Sequence, residues 1–179
     1  WSSDVCSSDL LGPKVQRGDF DNNPDEWVRE GAAVTTNRTI QGIEVLPGTT
    51  RDAAIRVSYL LRGSTGLMIN ARDRRTGNAD ATGELYVAHD NGTQLQIKYF
   101  RPGQPEKILA TQAVPATIAI DAPRTLEFHV VGDTLRATLN GTVIATVKDS
   151  TIPAGNCAIV AFKGSLIQKV EFQTPAEPK

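Results

Sequence analysis

A carboxylate and an imidazole occur two residues apart at Glu127 and His129. Residues two apart on a strand point to the same side, so the two groups would share one face of a sheet. Such a pair can relay a proton in an enzyme. The same pair is more typical of the water-exposed face of a strand. We therefore interpret Glu127 and His129 as an exposed polar face and predict no catalytic residue.

Glycoside hydrolysis is a second reaction that acidic residues on strands can catalyse. A retaining glycosidase needs two carboxyl groups about 5 Å apart, on either side of the scissile bond. Acids at even spacing along one strand would supply them. The glutamates Glu44, Glu84, Glu127 and Glu171 instead stand alone in their stretches. This spacing argues against glucanase-type catalysis, and the sequence favours a protein that is not an enzyme.

Oxygen ligands alternate in Asp19, Asp21, Asn23 and Asp25, as they do at the start of a calcium loop. The glycine that such a loop needs at its sixth position is replaced by Pro24. We therefore interpret the stretch as a solvated acidic lead-in, with calcium as the alternative, and predict no metal site and no cofactor.

Cysteine and histidine give no zinc pattern, because the chain has two of each, far apart. His89 follows a strand-like stretch and precedes Asp90, where it would suit a metal or a sugar. A histidine at the edge of a hairpin without such a role is the favoured interpretation. Cys157 is predicted to be a small core residue.

A ligand-binding face is predicted around two aromatic residues. Tyr86 and Phe100 fall on the alternation phase opposite to Leu85, Val87 and their neighbours, on either side of an Asp-Asn-Gly turn. An aromatic platform with polar neighbours is typical of a carbohydrate site. The alternative is that this face is covered and the aromatic rings only pack. The predicted ligand-binding residues are Tyr86, Phe100, Arg72, Asn70, Gln96 and Lys98.

The elements that would position these residues are strands. From Thr125 to Val147, apolar residues recur at every second position in three runs, which is the period of a strand with one buried face. Gly132-Asp133 and Asn140-Gly141 separate the runs, and Asn-Gly is typical of a two-residue hairpin turn. The stretch therefore predicts an antiparallel meander.

Similar short alternating stretches fill the rest of the chain. They are Trp27-Val28, Glu30 to Val34, Thr39 to Leu46 (closed by Pro47-Gly48), Ile55 to Leu61, Leu67 to Ala71, Leu85 to His89, Leu95 to Phe100, Lys107 to Ala113, an edge segment between Pro115 and Pro123, Cys157 to Phe162 and Leu166 to Phe172. No helical period separates them. The pattern predicts an all-β fold, a two-sheet antiparallel β-sandwich of the jelly-roll type.

Domain organisation follows from the same pattern. Residues 26–174 are predicted to form a single sandwich domain, after an irregular lead-in at 11–25 and before a polar tail at 175–179. Residues 1–10 repeat Ser-Ser-Asp and resemble translated sequencing-adapter read-through, typical of metagenomic gene models, or else a disordered linker. We set them aside and expect an unseen upstream segment, such as a signal peptide, an anchor or another domain.

Composition excludes several partner classes. The formal net charge of −1 gives no general attraction to nucleic acid or to anionic membranes. No apolar run reaches the length of a membrane-spanning helix.

The region from Trp27 to Phe172 resembles the concanavalin A-like lectin/glucanase superfamily, in particular its laminin-G-like branch and the 3-keto-disaccharide hydrolase-like domains. The resemblance is carried by Trp27 to Gly31, by Asp52 to Val57, by Gly132-Asp133-Thr134-Leu135 with Leu139-Asn140-Gly141, and by Pro153-Ala154-Gly155 with Ile159, Gly164 and Val170-Glu171-Phe172. These are turn and core positions, so they speak to fold more than to activity.

The resemblance implies a concanavalin A-like jelly roll that serves as an accessory, non-catalytic binding module of a larger bacterial protein. Its implied partner is a glycan, and its implied location is extracellular or the cell envelope. Two alternatives stay open at this point: an enzyme acting on 3-keto-glycosides, and a structural or protein-interaction domain attached to an upstream domain such as a kinase.

Overall fold

The computed structural model describes residues 16–17, 20, 25–75 and 82–174. Within them, the strands are β1 (Gln16–Arg17), β2 (Trp27–Glu30), β3 (Ala33–Thr36), β4 (Gln41–Thr50), β5 (Ala53–Leu60), β6 (Leu67–Asp73), β7 (Leu85–Asp90), β8 (Gln94–Phe100), β9 (Lys107–Ala113), β10 (Arg124–Val131), β11 (Thr134–Leu139), β12 (Thr142–Lys148), β13 (Gly155–Phe162) and β14 (Leu166–Gln173). In this part of the chain, no helix is long and apolar enough to cross a membrane.

The strands form two antiparallel sheets. The larger sheet has the order β12-β11-β10-β5-β14-β3-β2, with β1 also paired to β14, and the smaller sheet has the order β4-β13-β6-β7-β8-β9. The predicted all-β, two-sheet antiparallel sandwich of the jelly-roll type is confirmed. Neighbours in each sheet are often distant in sequence, as β5 and β14 are, so the fold depends on non-local pairing.

Alternation builds the core between the sheets. In β5, Ile55, Val57 and Tyr59 are each at most 1% exposed, and the intervening residues are half-buried on the other face. The facing strands β6 and β13 supply Ile69 and Ile159, which are fully buried. Cys157 is also fully buried, which confirms its prediction as a core residue, and burial raises the pKa of its thiol to about 12.

The meander of β10, β11 and β12 is confirmed, with turns at the predicted positions. Asn140 and Gly141 have φ values of 50° and 78°, the positive pair that a type I′ turn requires. The Asn140 side chain also accepts a hydrogen bond of 2.7 Å from the Thr125 backbone N–H. Turn chemistry and strand period therefore agree in this stretch.

Three local predictions are corrected by the structure. Strand β4 continues through Pro47-Gly48, because a bulge opposite Asn156 and Cys157 takes up these residues on an edge strand, where proline is tolerated. The segment between Pro115 and Pro123 forms turns rather than an edge strand. Within the lead-in, β1 pairs with β14, and Phe20 packs against Trp27 with ring centroids 4.9 Å apart.

Arg124, which is 1% exposed, closes one end of the sandwich. Its Nη1 lies 2.8 Å from Oδ2 of Asp90, and its Nη2 donates to the carbonyl oxygen of Gly92 at 3.1 Å. Asp90 also accepts a hydrogen bond of 2.5 Å from the Tyr59 hydroxyl. The cluster joins β5 and β10 of the larger sheet to β7 of the smaller one.

Arg72, at the other end of the sandwich, is 2% exposed. Its guanidinium donates to the carbonyl oxygens of Arg51, Ile152 and Gly132 at 2.8, 2.8 and 2.6 Å. Its φ of 48° is rare for a residue other than glycine, and it breaks the alternation of β6 at this point. The side chain therefore ties loops together between the sheets.

We expect Arg124→Met to destabilise the fold by about 3–5 kcal/mol, because it leaves the Asp90 carboxylate buried without its cation. Urea denaturation of the variant and of the parent chain measures the difference. Lys148→Met is the control, since its ion pair with Asp133 is exposed and is worth about 1 kcal/mol at most. Equal losses in the two variants would contradict this account of the cluster.

Candidate functional site

The outward side of the smaller sheet carries the candidate site, and we call it the outer face. Two cross-strand rows define it. The first row is Val45, Ala158, Asn70, Val87, Lys98 and Ile108, and the second is Ile43, Val160, Met68, His89, Gln96 and Thr111. Phe100 lies beyond the first row, beside Leu85. Phe162 lies beyond the second row, since it follows Val160 by two residues on β13.

Four of the six residues predicted to bind a ligand lie on this face: Asn70, Gln96, Lys98 and Phe100. The structure therefore brings them together, and their role in binding stays a prediction. Gln96 and Phe100 are half-buried, whereas Asn70 is 1% exposed and Lys98 is 9% exposed. The accessible part of the face is thus the half-buried or exposed residues of the second row, the two aromatic flanks, and the ends of the first row, where Val45 and Ile108 are 48% and 53% exposed.

Tyr86 does not share a face with Phe100, and this prediction is wrong. Tyr86 pairs with Tyr99, whereas Phe100 pairs with Leu85, and paired residues point to the same side. Tyr86 is fully buried in the core. Its hydroxyl bonds the Asp149 carboxylate and accepts a hydrogen bond of 3.1 Å from the Ile152 N–H. Burial, with Asp149, raises the pKa of Tyr86 to about 12.

Arg72 also lies away from the outer face, in the interior position described above. Alternation with Ile69 and Ala71 predicts an outward side chain for Arg72, and the positive φ of Arg72 overrides that alternation. Its three bonds to backbone carbonyl oxygens make it a structural residue in this fold.

Asn70 is held by a short chain of polar contacts. Its Nδ2 donates to Oδ2 of Asp73 at 3.4 Å, and Asp73 in turn receives the Arg75 guanidinium, with Nη2 at 2.6 Å. The Asn70 Oδ1 has no hydrogen-bond partner. Buried polar atoms are nearly always paired, so this acceptor marks a point where the face differs from an ordinary sheet surface.

Lys98 is neutralised by a neighbour on its own face. Its Nζ lies 3.0 Å from Oε2 of Glu106, which is half exposed. The ion pair leaves the first row without a net charge. Between them, the two rows place no carboxylate at their paired positions.

His89 and Phe162 form an aromatic pair, although the sequence favours a hairpin-edge histidine without a role at position 89 and predicts no site at Phe162. Their ring centroids are 5.9 Å apart with 29° between planes, which is an offset stack, and both residues are half-buried. Burial, with a smaller contribution from Lys98, lowers the pKa of His89 to about 4. The imidazole is therefore neutral at neutral pH. Strand register would place His89 and Phe162 on the same face, but the sequence does not determine the register until the hairpin geometry is known.

The absence of a side chain at Gly66 leaves space for the His89 ring. A Cβ at Gly66 would lie 2.7 Å from Nε2 of His89 and 2.6 Å from the Asp90 carbonyl oxygen, and Gly66 has a φ of 149°. Only glycine combines that clearance with that backbone conformation at low cost. The position of the His89 ring is thus fixed by the backbone beside it.

Glu127 and His129 lie on the outward side of the larger sheet, 6% and 4% exposed, so their interpretation as a water-exposed face is wrong. His129 Nε2 lies 3.0 Å from Oε2 of Glu127, and Arg56 Nε donates to Oε1 of Glu127 at 2.9 Å. These two partners hold the pKa of Glu127 below its usual range. With Glu171 they line a cavity of about 50 Å³, too small for a sugar ring.

Metal sites have little support in the part of the chain that the structure describes. It contains no grouping of three or more His, Cys, Asp or Glu side chains suited to a metal. The calcium alternative at Asp19, Asp21 and Asn23 lies outside the described residues, so it stays a prediction.

Comparisons with known proteins place the fold. No family model matches the sequence, and no curated protein matches it. A carbohydrate-binding module, CBM66 from Bacillus subtilis, is similar over 89% of this chain and 95% of its own, with 13% identity and a TM-score of 0.65. The Caenorhabditis elegans galectin LEC-6 is similar over 82% and 99%, with 16% identity and a TM-score of 0.54. A native glycosidic hydrolase is similar over 96% and 93%, with 10% identity and a TM-score of 0.60.

Likeness at these identities is a likeness of fold. It confirms the jelly-roll fold that the resemblance implies, and the similar structures include both binding proteins and enzymes.

The depressed pKa of His89 makes stability depend on pH. The unfolded chain protonates this imidazole near its ordinary pKa of 6.5, and the folded chain does so only near 4. The unfolded state therefore binds more protons in this window, and the folded protein loses stability as pH falls from about 6.5 to about 4.

We expect His89→Gln to lose less stability than the parent chain over that window, in urea denaturations at a series of pH values. His129→Gln serves as the comparison. Parallel pH profiles for the parent chain and His89→Gln would contradict the buried, neutral imidazole.

Proposed function

We propose that this chain is a carbohydrate-binding module and that the outer face of the smaller sheet is its binding surface. The observation that carries the proposal is the composition of that face. Half-buried aromatic residues flank the pair of rows, and the second row contains the Gln96 amide and the Thr111 hydroxyl. The ion pair of Lys98 with Glu106 is internally neutralised. Aromatic surface next to a few polar groups is the usual composition of a sugar site.

The similar structures support the ligand class. A carbohydrate-binding module and a galectin share this fold with the chain over most of their own lengths. A sheet face suits a ligand that lies along it, and oligosaccharides are extended. Four of the residues predicted from sequence, Asn70, Gln96, Lys98 and Phe100, belong to this surface.

Binding without catalysis fits the acid distribution best. Hydrolysis of a glycoside would need two carboxyl groups facing one bond. At the paired positions of both rows, the face offers amides, a lysine, a histidine and apolar side chains. The outward carboxylates Glu127 and Glu171 belong to the other sheet and are engaged by Arg56. The hydrolase alternative, acting on 3-keto-glycosides, therefore has no acid pair to work with here.

An accessory role in a larger protein completes the proposal. A small sandwich that binds a glycan without transforming it is useful when it directs an attached domain to that glycan. A purely structural or protein-interaction role is the competing interpretation, and it predicts that no glycan binds.

The test is binding to an immobilised panel of neutral oligosaccharides that includes β-glucans, β-galactosides and fructans. We expect at least one to bind the parent chain, and Gln96→Ala to weaken that binding by about tenfold, as expected for loss of a hydrogen bond to a ligand. Thr146→Ala, an exposed substitution on the larger sheet, is the matched control and keeps full binding. Absence of binding across the panel would favour the structural role.

A further inference from the structure

We propose that His89 and Phe162 form the stacking subsite of the outer face and that it takes the apolar C–H side of a neutral sugar ring. This inference rests on the proposed function and adds to it the contact residues and the charge class of the ligand. The Tyr86 and Phe100 platform predicted from sequence does not exist as a pair, so the aromatic surface of the site has to be found elsewhere.

The first argument is that both rings lie on the outer face. His89 is the fourth member of the second row, between Met68 and Gln96, and Phe162 continues the β13 side of that row. Both residues are half-buried, so each keeps some accessible surface, whereas the two ring nitrogens of His89 are buried and have no hydrogen-bond partner. In the described part of the face, Phe100 is the other aromatic residue, and it lies beside Leu85 beyond the opposite row. His89 and Phe162 are thus the aromatic residues in mutual contact on this face.

Geometry is the second argument. An offset stack with centroids 5.9 Å apart and 29° between planes keeps the two rings in contact, so that each limits the movement of the other. The Gly66 backbone supports the His89 ring from behind, since a Cβ there would collide with it. A platform held by backbone loses little freedom when a ligand binds, which favours affinity.

Polar neighbours are the third argument. Gln96 pairs with His89 across β7 and β8, and Thr111 pairs with Gln96 across β8 and β9. The Gln96 Nε2 donates to Oε1 of Gln94 at 3.4 Å, a long and replaceable bond. A sugar ring stacked on His89 and Phe162 would have its hydroxyl groups beside these amides and this hydroxyl.

Charge is the fourth argument, and it sets the ligand class. The charged groups facing the aromatic pair are Lys98 on β8 and its partner Glu106, which neutralise one another. Asp90, the next residue along β7, points into the core toward Arg124. The imidazole itself is uncharged at neutral pH, since its pKa is about 4. A neutral sugar ring therefore meets a surface without net charge, and the ligand has no ionic group to desolvate.

The experiment uses the fact that the chain has two histidines, one on each sheet. Imidazole resonances of His89 and His129 are followed by NMR while the oligosaccharide that binds best in the panel is added. We expect the His89 signals to shift and to saturate with the binding curve. The His129 signals stay in place and serve as the internal control.

Substitutions at Phe162 give an independent measurement. We expect Phe162→Leu, which keeps apolar volume but removes the ring, to weaken binding by about tenfold, the value of one aromatic contact. Phe162→Tyr keeps the ring and binds like the parent chain. Circular dichroism and urea denaturation show that both variants are folded before affinity is compared.

Outcomes separate the subsite from the proposed function. Binding of a glycan with unmoved His89 signals and unchanged affinity in Phe162→Leu overturns the subsite and leaves the carbohydrate-binding function standing. Shifts at His129 instead of His89 overturn both the subsite and the choice of sheet. If no neutral oligosaccharide binds, both proposals fail together. A tighter complex with an acidic glycan, such as a polyuronate, overturns the neutral ligand class.

Discussion

The ion pair between Arg124 and Asp90 is the interaction on which the rest of the structure depends. Both side chains are fully buried, so each charged group has lost its hydration and needs hydrogen bonds from the protein instead. The Asp90 carboxylate accepts them from Arg124, the Tyr59 hydroxyl and the Gly92 N–H. Arg124 and Tyr59 come from the larger sheet and Gly92 from the turn after β7, whereas Asp90 itself belongs to the smaller sheet. The pair therefore fixes the packing of the sheets and the end of β7 at once.

The ion pair of Arg124 with Asp90 also determines which side chains of β7 face the candidate site. Because Asp90 must point inward to meet Arg124, His89 must point outward on the same strand. The Asp90 carbonyl oxygen and Gly66 then bound the space behind the imidazole. A core electrostatic interaction thus decides which side chain of β7 faces a ligand, without touching the ligand itself.

The fold was predictable wherever period and turn chemistry agreed. In β10 to β12, alternation placed Phe128 and Leu135 in the core, and Asn140-Gly141 supplied the positive φ values of the turn. Where one of the two signals was misleading, the prediction failed. Pro47-Gly48 has the composition of a turn, but on an edge strand opposite a bulge the same residues continue β4. Strand composition alone does not reveal such a bulge.

The site was less predictable, since both faces of β7 are apolar. Leu85 and Val87 are 3% and 5% exposed on the outer face, although Tyr86 and Ala88 occupy the core. Alternation between two apolar sets does not say which set faces inward. The hairpin register decides it by pairing Tyr86 with Tyr99 and Leu85 with Phe100. Side-chain burial on the larger sheet was equally hidden, because Glu127 is covered by ion pairs to residues far away in sequence, such as Arg56.

The two outward faces of the sandwich have opposite chemistry, and this contrast argues for the choice of binding surface. On the larger sheet, Arg56 lies within ion-pair distance of Glu127 and Glu171, so charges on three neighbouring strands satisfy one another. A ligand at this cluster would have to break ion pairs before making its own contacts. On the outer face of the smaller sheet, the accessible groups beside the single ion pair of Lys98 with Glu106 are aromatic rings, amides, a hydroxyl and the aliphatic side chains of Val45 and Ile108. A neutral, hydroxyl-rich ligand with apolar C–H faces is the chemical class that meets both kinds of group without an unpaired charge.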